Sequence, residues 1–139
     1  MSNLLQTTIK IRVRFSEVDS INMVWHGNYV QYLEDAREAF GHQYGMEYMH
    51  IFNSGYLAPV ADIHLQYKST ASIDDELVVV ITYRPTRGAK LVFDYEIRKT
   101  SDNTLVMVAE TTQLFVTRNG EFEVSEPPFL TEWKKKCNV

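Results

Sequence analysis

The chain has 139 residues, 45% of them hydrophobic and 23% charged, a composition that excludes extensive disorder and suits one compact domain over residues 1–139. Fourteen Lys and Arg against 18 Asp and Glu leave a net charge of −4, which argues against sequence-independent binding to nucleic acid or to anionic membranes. A lone cysteine, Cys137, excludes an internal disulfide and a multi-cysteine zinc site, and no stretch approaches the length of an apolar membrane span or a leader, so a cytoplasmic protein is expected.

From residue 9 to 16 the sequence alternates strictly, with Ile9, Ile11, Val13 and Phe15 on one face, which predicts a strand. Residues 16–27 break the alternation around Ile21, Met23, Val24 and Trp25 and read as a structured loop. From Asn28 the period changes to 3.6, because Tyr29, Leu33, Ala36 and Phe40, with Tyr32 beside them, share one stripe. Asn28 with Gln31 has capping-box spacing, and Gly41 or Gly45 should end this helix. Residues 42–55 are aromatic and irregular, with a short helical turn expected at 46–52.

The remainder reads as β-structure. Residues 59–68 set Ala61, Ile63, Leu65 and Tyr67 against Asp62, His64, Gln66 and Lys68, and residues 76–84 put Leu77, Val79, Ile81 and Tyr83 on one face. Gly88 marks a hairpin into a strand with Leu91, Phe93, Tyr95 and Ile97 inward, and residues 105–117 form a long apolar run expected to be a central strand. Asn119-Gly120 signals a turn into a short strand at 121–124, and Pro127-Pro128 opens a terminal helix at about 126–136 that ends on Lys134, Lys135 and Lys136. The order strand, helix, then four or five antiparallel strands gives an α+β fold over a core of about residues 8–124, with sheet edges that favour self-association.

Several site types are excluded by inspection. There is no Gly-x-Ser-x-Gly elbow, no glycine-rich phosphate loop and no His-Glu-x-x-His, and His26, His42, His50 and His64 lack chelating spacing. What remains is the loop from Asp19 through His26 into the helix at Asn28, where a carboxylate and an imidazole flank backbone N–H groups carrying partial positive charge. On spacing alone, the commoner reading makes Asp19 a loop cap and His26 a polar neighbour of the helix start. The alternative is a base or nucleophile beside an oxyanion hole, the equipment for attack on an acyl group.

The stretches Arg14-Phe15-Ser16-Glu17-Val18-Asp19 and Val24-Trp25-His26-Gly27-Asn28-Tyr29-Val30-Gln31-Tyr32-Leu33-Glu34 resemble the signature of hotdog-fold acyl-CoA thioesterases of the 4-hydroxybenzoyl-CoA thioesterase type. The resemblance implies an antiparallel sheet of five to six strands wrapped around one long helix, and a homodimer or homotetramer that hydrolyses an acyl-CoA without metal or other cofactor, coenzyme A being part of the substrate. It also implies that Asp19 is the catalytic carboxylate, as nucleophile or as general base for water, and that N–H groups around His26 and Gly27 polarise the thioester carbonyl. Trp25, Asn28 and Tyr29 would lie along the substrate. Members of that family often have Gly where this chain has Asn22 and Tyr where it has Trp25, differences that bear on loop geometry and acyl pocket.

Three further groups need weighing. Glu34 lies about 9 Å along the helix from Asn28, too far to share the terminus easily, and His64 on a polar strand face reads as a surface or interface residue. The turn from Arg84 to Lys90 gathers three cations, and Arg87 and Lys90 are candidates for the phosphates of CoA, against the reading of a solvated hairpin tip. Trp25, Tyr48, Phe52 and Tyr56 are candidates to line an acyl pocket, while Tyr29 and Tyr44 fall at core spacing. The rival functions are a hotdog hydratase or dehydratase, and a non-catalytic acyl-CoA binding or scaffold protein.

Overall fold

A computed structural model describes residues 4–139 of the chain. Its strands are β1 (Gln6–Arg12), β2 (Tyr56–Leu57), β3 (Val60–Tyr67), β4 (Glu76–Arg84), β5 (Lys90–Lys99), β6 (Leu105–Leu114) and β7 (Val116–Thr117), and its helices are α1 (Asn28–Tyr44), α2 (Tyr48–Asn53) and α3 (Pro128–Cys137). An antiparallel sheet in the order β1-β4-β5-β6-β3 wraps α1, and β2 pairs with β7 in a separate two-stranded piece. Among the described residues, no helix is long and apolar enough to cross a membrane.

The inward residues are those the alternation selected. Leu77, Val79, Ile81 and Tyr83 of β4 and Leu91, Phe93, Tyr95 and Ile97 of β5 are buried against Tyr29, Tyr32, Leu33, Ala36 and Phe40 of α1. Phe40 anchors the far end, its ring 4.9 Å from Phe93 and 4.8 Å from Tyr44, while the Trp133 ring of α3 stands 5.2 Å from Tyr83. Edge-on aromatic contacts of this kind add to the burial of apolar area.

Several boundaries differ from the sequence expectations, each for a local reason. β1 ends at Arg12 because Val13 bonds back to the Asp74–Asp75 turn, so Phe15 sits in a 3-10 turn (Phe15–Glu17) and is exposed. The capping box does not form: Gly27 is the N-cap, Asn28 is already helical and sends its amide to the Glu17 carbonyl at 2.9 Å, and Gln31 bonds Asp35. The helix runs through Gly41 and ends at Gly45, whose φ of 75° only glycine adopts cheaply.

The long apolar run breaks at Phe115, which turns its ring into the core and frees Val116–Thr117 to pair with β2. β6 is an interior strand, as its apolar run suggested, paired with β5 on one side and β3 on the other. Residues 121–124 hold one bridge, Phe122 to Val116, instead of a strand. β3 shows no buried face at all, since Val60, Ile63 and Tyr67 are exposed and only Leu65 is half-buried.

Candidate active site

The loop before α1 is a closed hydrogen-bonded unit. Its backbone is tied to the helix through Glu17, whose carbonyl accepts from the Trp25 N–H and from the Asn28 amide, both at 2.9 Å. The Glu17 carboxylate accepts from the Arg14 N–H at 2.8 Å and from the Tyr32 hydroxyl at 3.0 Å, so one residue joins the loop's entry to the buried face of α1. Burial, with the adjoining Glu17 charge, pushes the Tyr32 phenol far up and keeps it a proton donor. A bridge between Val18 and Val24 closes the neck of the loop, and the Val24 N–H reaches the Ala71 carbonyl at 2.8 Å.

Asp19 sits just beyond that neck, exposed, and its position is built by backbone donors. Its Oδ1 accepts from the N–H groups of Ile21 at 3.0 Å and Met23 at 3.2 Å, leaving Oδ2 without a protein partner among the described residues. Asn22 takes the turn, with φ of 58°, and its side-chain oxygen accepts from the Ile73 N–H at 3.1 Å. Asparagine tolerates this left-handed backbone better than other side chains, so the loop keeps a conformation that would suit glycine.

At the other side of the neck, the Trp25 indole lies against Gly27. A Cβ added at Gly27 would fall 2.0 Å from the indole, so the close approach requires glycine. The Asn28 N–H is used by the Trp25 carbonyl at 2.9 Å. The His26 and Gly27 N–H groups have no protein acceptor among the described residues and lie at the positive end of α1. The His26 ring, exposed, sits 4.9 Å from that of Trp25, and its carbonyl accepts from the Tyr67 hydroxyl at 3.1 Å.

The structure thus brings Asp19, Trp25, His26, Gly27 and Asn28 into one loop. Tyr29, at core spacing in the sequence, is 3% exposed, with its ring against Tyr32 and Tyr67. Tyr44 spans two roles, half-buried with its hydroxyl bonding both backbone groups of Gln6. Arg87 and Lys90 lie at the opposite end of the sheet. Tyr67, beside the helix start, pairs with Met107, whereas Lys90 pairs with Leu114, which places the basic turn roughly 23 Å along the sheet from Tyr67. Arg84 is taken by Asp94 and Glu110 and is not a free cation.

A second feature was not visible in the sequence. A cleft of about 620 Å³ runs along α1 from Gln31 to His42 and is floored by Phe40, Met46, Ile51, Leu91 and Phe93. Tyr48 and Tyr56 line it, as the aromatic surplus suggested; Phe52 does not, its ring carrying Arg118 at 4.6 Å. Glu34 stands at its wall, 3.4 Å from Arg37, and neither Asp19 nor His26 lines it. Such a cleft joins residues distant in sequence, so no local pattern announces it. His64 is exposed on the outer sheet face beside Glu110.

A family model described as the thioesterase-like superfamily matches residues 13–134. YneP of Bacillus subtilis, named as a candidate acyl-CoA thioesterase, is 28% identical over 130 residues that span 91% of this chain and 94% of that protein. The 4-hydroxybenzoyl-CoA thioesterase of Pseudomonas sp. strain CBS-3 is 25% identical over 120 residues, covering 82% of this chain and 85% of its own. The solved structure of that thioesterase superposes with a TM-score of 0.82 over 95% of this chain and 99% of the other, at 24% identity, which establishes the shared fold.

Proposed function

The chain belongs to the thioesterase-like superfamily, with the hotdog arrangement of sheet and helix, and from that membership we propose that it hydrolyses an acyl-CoA thioester to the free acid and CoA. The observation that carries the reading is the juxtaposition, across one bridged neck, of a carboxylate fixed by two N–H groups and a helix start with two unclaimed N–H groups.

In this reading the thioester carbonyl oxygen accepts from the His26 and Gly27 N–H groups, which hold the negative charge that grows as the carbon becomes tetrahedral. Donors of this kind are worth about 10²- to 10³-fold each in turnover. The free Oδ2 of Asp19 either attacks the carbonyl carbon, expelling CoA thiolate and leaving an acyl-aspartyl anhydride that water opens, or takes a proton from the water that attacks. A thioester has a good leaving group, so the chain's own residues and water complete either route. The acyl class of the relatives, aromatic in the Pseudomonas enzyme, marks where a substrate panel should begin.

The site is completed by a second copy. β3 is an edge strand with exposed apolar side chains, whereas the other edge, β1, turns Lys10 and Arg12 outward, a charge pattern that resists pairing. Antiparallel pairing of two β3 strands about a two-fold axis sets the Tyr67 end of one copy against the Val60 end of the other. That brings the partner's cleft and its basic turn, the copy's own Arg87 and Lys90 equivalents, to the helix start that holds Asp19. The acyl group then has an apolar cleft and the CoA phosphates a cationic turn, in a dimer or a tetramer built from dimers. A cytoplasmic setting follows from this substrate.

The test is thiol release from a panel of aromatic and medium-chain acyl-CoAs. Turnover of at least one class, with equimolar acid, is the expected result. Binding without any thiol release across the panel would favour a scaffold protein, and formation of hydrated acyl-CoA a hydratase.

A further inference from the structure

We propose that Tyr67 is a positioning residue for the oxyanion site, setting the direction and donor strength of the Gly27 N–H; this rests on the thioesterase reading above. Tyr67 is the last residue of β3, where Lys68 and Ser69 are both bonded to the Val106 carbonyl, so its backbone is held although its side chain is half exposed. Its ring packs edge-on against Tyr29 at 5.5 Å, and its hydroxyl donates to the His26 carbonyl at 3.1 Å.

A trans peptide is planar, with its C=O and N–H pointing opposite ways. Fixing the His26 carbonyl toward Tyr67 therefore fixes the Gly27 N–H of the same peptide away from it, outward at the helix mouth. Accepting a hydrogen bond at the carbonyl also polarises the peptide and strengthens its N–H as a donor. No other side chain bonds the His26–Gly27 peptide among the described residues, and helix geometry alone does not restrain it, because Gly27 is the N-cap. Tyr67 touches no reacting atom in this arrangement. Its effect appears only when charge develops on the substrate oxygen.

The experiment compares wild type, Tyr67→Phe and a protein with 3-fluorotyrosine at 67, whose hydroxyl has the same shape and is the stronger donor. The phenylalanine variant keeps the ring contact with Tyr29, so unfolding temperature and sedimentation mass should stay at wild-type values. We expect kcat on a thioester to fall about 10-fold, a fraction of the loss of an oxyanion donor, with KM nearly unchanged. The fluorotyrosine protein should match or exceed wild-type kcat at pH 6.5. Wild-type kcat in Tyr67→Phe overturns the inference and leaves the hydrolase standing, as does a rise in KM at constant kcat. A phenylalanine variant that loses its assembly, together with fluorotyrosine kcat below wild type, overturns it as well. Wild-type protein with no thioesterase activity removes both.

Discussion

At the scale of single residues, the site is a matter of which backbone groups are occupied. Two N–H groups of the Ile21–Met23 turn hold one oxygen of Asp19, and the carbonyl of Glu17 holds the helix start. That Asp19, His26 and Gly27 share one loop at a helix start was legible from the order of residues, because a carboxylate and a helix start a few positions apart must be neighbours, while their roles rest on the family resemblance. The reasons they hold still were not, since they run through Glu17, Tyr32, Ile73 and Tyr67, and no pattern in a linear string pairs a carbonyl with a distant hydroxyl. The same gap accounts for Asn28, expected to cap the helix with its own side chain; inside the first turn it reaches the loop instead. Gly27 offers a sharp residue-scale test. In Gly27→Ala the new methyl group collides with the indole of Trp25, and the rigid ring must swing off the helix mouth. Activity should drop about 10- to 100-fold by loss of donor geometry, with the unfolding temperature little changed because Trp25 is 52% exposed. Activity equal to wild type would show that the indole and the helix mouth do not act together.

At the scale of elements, periodicity selected the inward residues correctly wherever an element has one wet face. α1 and the pair β4 and β5 are of that kind. It failed where tertiary pairing decides. β6 stops at Leu114 because Phe115 fills the space beside Tyr56 and Phe129, and β3 alternates in sequence yet buries neither face, since nothing in the single chain covers it. The buried tyrosines supply an element-scale prediction. Burial, then the charge of Glu126, pushes Tyr83 up to about 12 from 10.0, and burial raises Tyr29 and Tyr95 as well. A phenol that holds its proton more tightly when folded contributes stability that is complete below pH 10 and declines as pH rises toward the folded value. For Tyr83 that decline is about 1.4 kcal/mol per pH unit between pH 10 and about 12. Urea midpoints from pH 8 to 11 should be level at first and then fall. A midpoint that stays level through pH 11 would mean these rings are not buried.

At the scale of the whole molecule, one copy holds the proposed catalytic loop and the proposed phosphate contacts at two ends of a sheet. The carboxylate and helix mouth stand at the Tyr67 end of β3 and the cations Arg87 and Lys90 at the Val60 end, while the cleft runs along α1 from Gln31 toward Leu91 and Pro59. In the dimer we propose, two-fold pairing of exposed β3 edges would unite them, so a mass of a dimer or larger is expected in sedimentation, and a monomer at micromolar concentration would contradict it. Uncovered sheet edges in the sequence pointed to self-association; the direction of pairing we propose rests on which end of β3 carries Tyr67. The central claim is that the Asp19 carboxylate does the chemistry at that mouth, and the most direct measurement is kcat for Asp19→Asn beside its affinity for the same acyl-CoA. Asparagine keeps the oxygen that accepts from Ile21 and Met23 but is neither a nucleophile nor a base. The account predicts that turnover falls by at least about 10²-fold while the thioester binds as tightly as to wild type. Unchanged turnover in Asp19→Asn would contradict it.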